Sequence, residues 1–453
     1  MPDLASIVKA YDIRGTVPGQ FDEAAAAALG SGFADLVRGT GATKVAVAHD
    51  MRDTGPDLAR AFAGAITRAG LDVVFAGLCS TDELYFVSGK LDVPGAMFTA
   101  SHNPAEYNGI KTCLAGARPI SLDSGLADIR DRAQAILDGA EPTTADTPGT
   151  LTEQDFLADY VAHLRSLVDL DGIRPLTVAV DAGNGMGGHT VPTAFDGLPV
   201  RVVPMYFELD GTFPNHEANP LEPKNLVDLQ KKVVEVGADI GLAFDGDADR
   251  CFVIDEKGDP VSPSAITALV ATRELARDPG ATVIHNLITS RAVPEIVAEN
   301  GGTPVRTRVG HSFIKAEMAR TNAIFGGEHS AHYYFRDFWF ADTGLLAAMH
   351  TLAALGRSEL PLSELAAEYE RYVASGEINS TVDDQAARLA AVEEAFADAE
   401  LDHLDGLTIT MSDGAWANLR ASNTEPLLRL NVEASTTEGM ERLRDAVLAI
   451  VRG

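Results

Sequence analysis

KVAVAHDMRDTGPDLARAFAGAITRAGLDVVFAGL, residues 44–78, decides the fold. It opens on an apolar strand (44–50), continues into the helical stretch DLARAFAGAITRAG, turns at a glycine and ends on a second apolar strand (72–78). Strand, helix, turn and strand in that order are the signature of a βαβ unit. The theme returns twice. TVAVDAGNG (177–185) leads to a short helix around His189–Phe195 and then to VRVVPM (200–205). TVIHNLITS (282–290) leads to the helix AVPEIVAENGG and then to PVRTRVG (304–310).

After each unit comes a further helical segment and a third strand. Those third strands run into AMFTASHNP, IGLAFDGDADR and AIFGGEHS, so the three stretches richest in reactive side chains fall at matching places in three repeats. In doubly wound α/β sheets ligands collect at the carboxyl ends of strands, and three such edges facing one another would enclose one cleft. The expected fold class is therefore α/β, with three related α/β domains on mixed sheets around a central cleft and a smaller C-terminal α+β domain. The Pro- and Thr-rich stretch DGAEPTTADTPGT (138–150) reads as the first linker, EKGDPVSPS (256–264) as the second, and a helical stretch ending near Tyr372 precedes the third. The expected domains are 1–145, 146–258, 259–372 and 373–453. In the last, GLTITMSDGAWANLRASNTEPLLRLNVEAS reads as antiparallel strands and TTEGMERLRDAVLAIVRG as a closing helix behind a threonine cap.

Composition narrows the function classes. The chain has 453 residues, 46% hydrophobic and 23% charged, as an ordinary soluble globular protein has. Its three cysteines, Cys79, Cys113 and Cys251, show no CxxC spacing, which excludes a disulfide framework or thiolate zinc site and fits a reducing cytoplasm. The N-terminus lacks the charged and apolar regions of a signal peptide, and no apolar run reaches a membrane span's length. A net charge of −30 argues against nucleic acid or an anionic membrane as partner. An anionic ligand would then require basic residues concentrated at its site.

In AFDGDADR (243–250), Asp245, Asp247 and Asp249 alternate with small residues that let the backbone curl until three carboxylates converge. Oxygen ligands in that number suit a hard divalent cation, Mg²⁺ above all. An EF-hand loop fails because its sixth position is Arg250 rather than glycine and its flanks read as strands. The glycine run at 181–188 satisfies GxGxxG, but the matching turns of repeats one and three do not, which favours a structural turn over a dinucleotide site. RASNTEP (420–426) gathers Arg420, Ser422, Asn423 and Thr424 in one loop, donors that suit a phosphate dianion or simply build a hairpin turn. Arg429 follows on the next strand, either salt-bridged or facing a ligand. GEHSAHYYF (327–335) offers Glu328, His329, Ser330 and His332, of which the carboxylate and hydroxyl suit sugar hydroxyls. RVGHSFIK (308–315) sets Arg308 and His311 before a helix, and KAYDIRG (9–15) sets Tyr11 and Arg14 in a polar loop.

Taken together, YDIRG (11–15), TASHNP (99–104), DGDADR (245–250), GEHS (327–330) and RASNTEP (420–426) resemble, in order and across nearly the whole chain, the motifs of the α-D-phosphohexomutase family, in particular its phosphomannomutase/phosphoglucomutase branch. The resemblance implies a phosphoserine at Ser101 and one Mg²⁺ per chain held by Asp245, Asp247, Asp249 and the Ser101 phosphate. It implies that Glu328 and Ser330 contact sugar hydroxyls and that the 420–424 loop grips the phosphate not being transferred. Tyr11, Arg14, Arg308 and Arg429 fall among the family's substrate-binding positions. His102, Lys111, Arg250 and His311 fall among its catalytic ones, with Lys111 or His311 assisting proton transfer and His102 a neighbour of the phosphate. The implied reaction interconverts mannose or glucose 1- and 6-phosphates through a hexose 1,6-bisphosphate, which also acts as activator. Phosphoglucosamine mutase is the alternative substrate class, and a non-catalytic sugar-phosphate sensor the alternative function class. A monomer or weak homodimer is expected. Two departures stand out: His329 replaces the Met or Gln of many relatives, and HNLITS lacks a lysine some relatives carry there.

Overall fold

In the computed structural model, which describes residues 3–421 and 427–453, the sequence repeat becomes a repeated strand order. The first repeat contains β1 (Ile13–Thr16), β2 (Lys44–His49), β3 (Asp72–Leu78), β4 (Gly95–Phe98), β5 (Tyr107–Leu114), β6 (Arg118–Pro119) and β7 (Leu151–Glu153). β2 lies between β3 and β4, parallel to both, and β5 runs antiparallel along β4. The second contains β8 (Leu176–Asp181), β9 (Val200–Met205), β10 (Ile240–Phe244), β11 (Cys251–Ile254) and β12 (Pro260–Val261). There β8 lies between parallel β9 and β10, and β11 runs antiparallel along β10. In the third, β13 (Thr282–Asn286) lies between parallel β14 (Thr303–Thr307) and β15 (Phe325–Gly327). A hairpin of β16 (Tyr333–Phe335) and β17 (Ala341–Asp342) follows. The tail is an antiparallel sheet of β18 (Val373–Thr381), β19 (Glu400–Asp402), β20 (Leu407–Thr410), β21 (Trp416–Ala421) and β22 (Leu427–Ala434), in the order β18-β22-β21-β20-β19.

The chain divides into two compact units. One takes the described residues up to Val261 together with Ser330–Ser363; the other takes Ser262–His329 and the described residues from Glu364 onward. Among the described residues no helix is long and apolar enough to cross a membrane.

The core of the first unit explains how its loops are held. Helix Gly55–Arg68 has Pro56 in its first turn, where a missing N–H costs nothing, and buries Leu58, Phe62 and Ile66 on one stripe. Helix Glu23–Gly39 packs against it through Gly30, where a Cβ would lie 2.5 Å from the Phe62 carbonyl oxygen. Phe62 in turn meets Phe98 edge-on, with ring centroids 5.4 Å apart. Phe98 is the last residue of β4, so the core fixes the strand end from which the Ser101 loop departs.

In the second unit, helix Thr437–Arg452 starts behind Thr436, whose hydroxyl accepts from the Gly439 N–H, and buries Met440, Leu443, Val447 and Val451. The helical stretch expected to end near Tyr372 stops at Ala367. The chain is drawn off its axis there because the Tyr372 hydroxyl donates to Glu295 at 2.7 Å and Arg371 pairs with Glu299 at 2.6 Å. Both acids sit on helix Ala292–Glu299.

Residues 206–226, between β9 and helix Val227–Val236, lack a strand and need side-chain anchors. One is His216, whose Nε2 lies 2.9 Å from Asp181 Oδ2 and whose Nδ1 lies 2.8 Å from the Glu217 carbonyl oxygen. With acceptors at both ring nitrogens, the doubly protonated imidazole is favoured. Burial alone would lower the His216 pKa, but Asp181 overrides it and raises the pKa above the ordinary histidine value. A raised folded-state pKa contributes stability that is complete below the unfolded value and is lost as pH rises through the folded one. Replacing His216 with Asn should therefore lower the melting temperature more at pH 6 than at pH 9. The deficit at pH 6 should be about 1.5–3 kcal/mol, as for a hydrogen bond to a charged group, and thermal unfolding of both proteins at both pH values measures it.

Candidate active site

The loop between β4 and β5 carries Ser101, which is buried and sits at φ +48°, a left-handed conformation that costs a non-glycine residue about 1–2 kcal/mol. Its N–H donates to Thr99 Oγ1 at 2.8 Å, and Asn103 N–H closes a turn onto the Ala100 carbonyl at 3.0 Å. Arg52, 2% exposed, fills the inside of this loop. Its Nη1 donates to the carbonyls of Pro104 and Tyr107 at 2.8 and 2.7 Å, and its Nη2 to those of Ser101 and Asn103 at 2.9 and 2.6 Å.

The loop between β10 and β11 carries Asp245, Asp247 and Asp249, all buried. It reaches the serine loop through backbone: a Cβ on Gly246 would lie 2.4 Å from the Ser101 carbonyl oxygen. Behind it, a Cβ on Gly185 would lie 2.6 Å from the Gly246 oxygen, and Met186 N–H donates to that same oxygen at 2.9 Å. The GxGxxG run is thus a structural turn that backs the acidic loop.

Around the three carboxylates the polar groups converge. Ser101 Oγ donates to Asp245 Oδ2 at 3.0 Å. Lys111 on β5 places Nζ 2.7 Å from Asp247 Oδ2 and 2.6 Å from Asp249 Oδ2. Arg250 donates from Nε and Nη2 to Asp245 Oδ2 at 2.9 and 2.8 Å, and its Nη2 also donates to His102 Nδ1 at 2.6 Å. Thr81, the first residue of helix Thr81–Leu91, donates its N–H to the Asp247 carbonyl at 3.1 Å and its hydroxyl to the Asp247 carboxylate. Arg14 on β1 donates to Asp12 at 2.7 Å, to the Ala100 carbonyl at 3.3 Å and to the Asn103 side chain. Tyr11, half-buried, lies in the bend just before β1.

Protonation follows from these contacts. Burial would raise Asp247, but Lys111 holds it below the usual carboxylate range. Burial, and then the two neighbouring carboxylates, push Asp245 upward despite Arg250. Burial, then the positive field of Arg250, keeps the His102 pKa well below the ordinary value, so it is a neutral imidazole accepting at Nδ1. Lys111 is charged, because the pull of Asp247 and Asp249 outweighs its burial.

Ionised together, three carboxylates would outnumber Lys111 and Arg250 in this buried pocket, which is why Asp245 is pushed upward. Asp247 Oδ1 and Asp249 Oδ1 are moreover buried with no hydrogen-bond partner, and one oxygen from each of the three aspartates lies within 4.8 Å of the others. A hard divalent cation fits that donor set.

His332, which sequence patterning did not separate from its neighbours, belongs to the same unit. Its Nδ1 lies 3.0 Å from Ser330 Oγ and its Nε2 3.8 Å from Asp249 Oδ1, and its backbone bridges to Arg250. The alternation S-x-H was the available signal, with both side chains on one side of a tight turn.

The second unit holds the remaining candidates. Glu328, buried at the end of β15, accepts from Asn286 Nδ2 at 3.0 Å and Gly310 N–H at 3.2 Å. His311 begins helix His311–Thr321, and the exposed Arg308 lays its guanidinium over the Phe313 ring at 4.8 Å. Val309 N–H donates to Asp405 at 3.1 Å. Arg420 and Arg429 are directly opposed on β21 and β22, with Glu377 3.7 and 3.3 Å away. Among the described residues the Nε of each arginine is buried without a hydrogen-bond partner, and Asp405 lies 4.0 Å from Arg420 Nη1. Ser422, Asn423 and Thr424 lie outside the described residues.

Comparison with known proteins covers the whole architecture. Family models described as phosphoglucomutase/phosphomannomutase alpha/beta/alpha domains I, II and III match residues 5–138, 158–258 and 262–372, and the model of the C-terminal domain matches 377–450. A curated relative from Xanthomonas campestris pv. campestris, named "Phosphohexose mutases", is 42% identical over 432 residues, 94% of each chain. A phosphomannomutase of Salmonella montevideo is 40% identical over 440 residues, again 94% of each. Among solved structures, a phosphoglucomutase/phosphomannomutase family protein from Burkholderia thailandensis superposes with a TM-score of 0.90 at 32% identity, covering 100% of this chain and 98% of its own.

If the acidic triad takes a divalent cation, that cation should stabilise the fold, by about 2.7 kcal/mol at a hundredfold excess over its dissociation constant. Melting temperature should rise on titration with a divalent chloride and stay unmoved by sodium chloride of equal ionic strength. Asp247→Asn should abolish the shift.

Proposed function

The chain belongs to the phosphoglucomutase/phosphomannomutase family, a hexose-phosphate mutase by its four domains and its relatives, and from that premise we propose that Ser101 is its phosphoryl carrier. The observation that carries the proposal is the meeting of Ser101 Oγ, at 3.0 Å, with an aspartate triad that needs a cation. The substrates are mannose or glucose 1- and 6-phosphates, with hexose 1,6-bisphosphate as intermediate and activator, and the metal is one Mg²⁺. Mg²⁺ bound to Asp245, Asp247 and Asp249 would supply charge neutralisation to the phosphoryl oxygens.

Each turnover comprises two transfers. In the first, the bond between phosphorus and Ser101 Oγ breaks and a bond forms from phosphorus to the free hydroxyl of the sugar phosphate, which gives up its proton. In the second, the other phosphate of the resulting bisphosphate returns to Ser101 and the product carries the remaining one. Phosphoryl transfer asks the protein mainly to align groups and balance charge. Lys111 and Arg250 are cations at the serine side, and Arg14 braces the serine loop through Asn103. His102 is neutral and acts as a neighbour that Arg250 orients, rather than as a base. The salt-bridged Lys111 serves charge balance. His332, tied through Nδ1 to Ser330, has the chemistry for proton exchange with a sugar hydroxyl, and so has His311.

Glu328, held by Asn286 and Gly310, and Ser330 are the groups assigned to sugar hydroxyls. Arg420 and Arg429, with Ser422, Asn423 and Thr424 between them in sequence, form the grip on the phosphate that is not transferred, and Arg308 adds positive charge in the same unit. Two like charges set directly opposite each other on neighbouring strands destabilise a sheet unless anions offset them; Glu377 lies near both and Asp405 4.0 Å from Arg420, and a bound phosphate would add to that offset. The proposed parts are 1–145 with the phosphoserine loop, 146–258 with the metal loop, 259–372 with the sugar loop and 373–453 with the phosphate loop. The three buried free cysteines support a cytoplasmic setting.

Intact-protein and peptide mass spectrometry after incubation with glucose 1,6-bisphosphate should find one phosphoryl group on the peptide containing Ser101. Ser101→Ala should lose that group and about a thousandfold or more of mutase activity in a coupled assay on glucose and mannose 1-phosphates. Full activity in Ser101→Ala would overturn the reading.

A further inference from the structure

We propose that Arg52 is the positioning residue of the phosphoryl carrier: a single buried guanidinium around which the Ser101 loop is wound. The inference rests on Ser101 being that carrier. Arg52 lies in HDMRDTG, the turn after β2, a stretch that supplies none of the proposed ligands.

Four carbonyl oxygens, from Ser101, Asn103, Pro104 and Tyr107, converge on its two terminal nitrogens at 2.6–2.9 Å. Four carbonyls within seven residues can point inward only if the loop is curled about a common centre. Only a planar cation with paired donors matches that demand, since a lysine ammonium has three donors diverging from one atom. In a trans peptide the N–H points opposite to the C=O. Drawing the Ser101 carbonyl toward Arg52 therefore turns the His102 N–H to the other side and fixes the peptide plane that follows Ser101, a residue whose own φ is a left-handed +48°.

The guanidinium is itself fixed from three sides. Asp50 accepts from the Arg52 backbone N–H at 2.9 Å and keeps a carboxylate oxygen 3.5 Å from Nε. Phe213 offers its ring face, 5.1 Å from the guanidinium carbon. Gly211 lies so close that a Cβ there would stand 2.8 Å from the Arg52 Cα. Asp50 and Arg52 come from the first repeat, whereas Gly211 and Phe213 come from the second. Arg52 thus ties the serine loop to the same repeat that carries the metal loop, and the Ser101 carbonyl it holds is the atom Gly246 packs against.

Substitution should lower turnover without weakening sugar-phosphate binding. A misplacement of about 1 Å at the reacting atom costs on the order of a hundredfold. Arg52→Ala is expected to lose about that much in kcat, and to lose phosphorylation of Ser101 by glucose 1,6-bisphosphate in proportion, while KM moves by less than about threefold. Millimolar guanidinium chloride should restore part of both, and sodium chloride at equal strength should not. Arg52→Lys should fall between the two. Should Arg52→Ala not fold, Arg52→Lys decides by the same kcat-against-KM split. A folded Arg52 variant with parental kcat and parental Ser101 phosphorylation overturns the proposal, as does a loss that appears in KM alone or that guanidinium leaves untouched. Parent protein and Ser101→Ala run alongside separate this result from a failure of the carrier itself: unphosphorylated parent enzyme that still turns over would indict Ser101, not Arg52.

Discussion

Three buried carboxylates held within 4.8 Å of one another, one of them hydrogen-bonded to a serine, are the constraint that the first unit is built to satisfy. Two unit charges about 4 Å apart at an effective dielectric of about 20 repel by about 4 kcal/mol, and burial removes the water that would soften it. The chain answers with cations placed from two directions. Lys111 comes from the strand after the serine loop, and Arg250 from the end of the acidic loop itself. The opening turn of helix Thr81–Leu91 adds hydrogen bonds to Asp247 from the Thr81 N–H and hydroxyl. What these leave over when all three are ionised is an excess of negative charge and two unpartnered oxygens, which a divalent cation would complete. His102 stays neutral in spite of these carboxylates, because burial and then the positive field of Arg250 disfavour its charged form, and Arg250 donates to its Nδ1.

Electrostatics alone would not hold the two loops in register. The contact that does so is backbone on backbone. Gly246 sits against the Ser101 carbonyl, Gly185 sits against Gly246, and in both places a single methyl group would overlap an oxygen. Side chains hop between rotamers; packed peptide units do not, so the geometry between serine and carboxylates is set by the stiffest parts available. Asp245 and Asp247 flank Gly246 for that reason: the glycine makes the approach, and the acids on either side arrive already aimed.

The repeated βαβ pattern made the fold legible, because each unit shows an apolar strand, an amphipathic helix and a second strand within about thirty-five residues. The acidic loop was legible too, since alternate Asp residues between two apolar strands have few other uses. Arg52 was not, because its partners are carbonyls, which every residue has and no sequence pattern records. Gly246 was read as a flexible spacer, when its role is to let another chain segment touch it. His332 was lost among the hydroxyls and imidazoles of GEHSAHYYF, since only the turn after Ser330 brings Oγ and Nδ1 to 3.0 Å. The end of the third helical segment was misplaced for a related reason. Arg371 and Tyr372 continue a plausible helical pattern, but their partners Glu295 and Glu299 lie over seventy residues upstream and pull the chain away.

A chain of net charge −30 that handles anionic sugar phosphates poses a problem of scale rather than of sign. At physiological ionic strength exposed charges are screened beyond about 8 Å, so surface acids act weakly on a site that carries its own buried cations. Those cations are kept where screening is least. Arg250 and Arg52 are almost completely buried, and Lys111 and Arg14 are largely covered. In the second unit Arg420 and Arg429 oppose each other across a strand pair, an arrangement a stable sheet avoids unless an anion repays it. Glu377 and Asp405 offset part of that repulsion, and among the described residues each arginine keeps a buried Nε without a hydrogen-bond partner, a cost that an anion bound there would relieve. On the proposed reading, selectivity for a phosphate dianion would come from this local arrangement, a short-range property on which the global charge has little purchase.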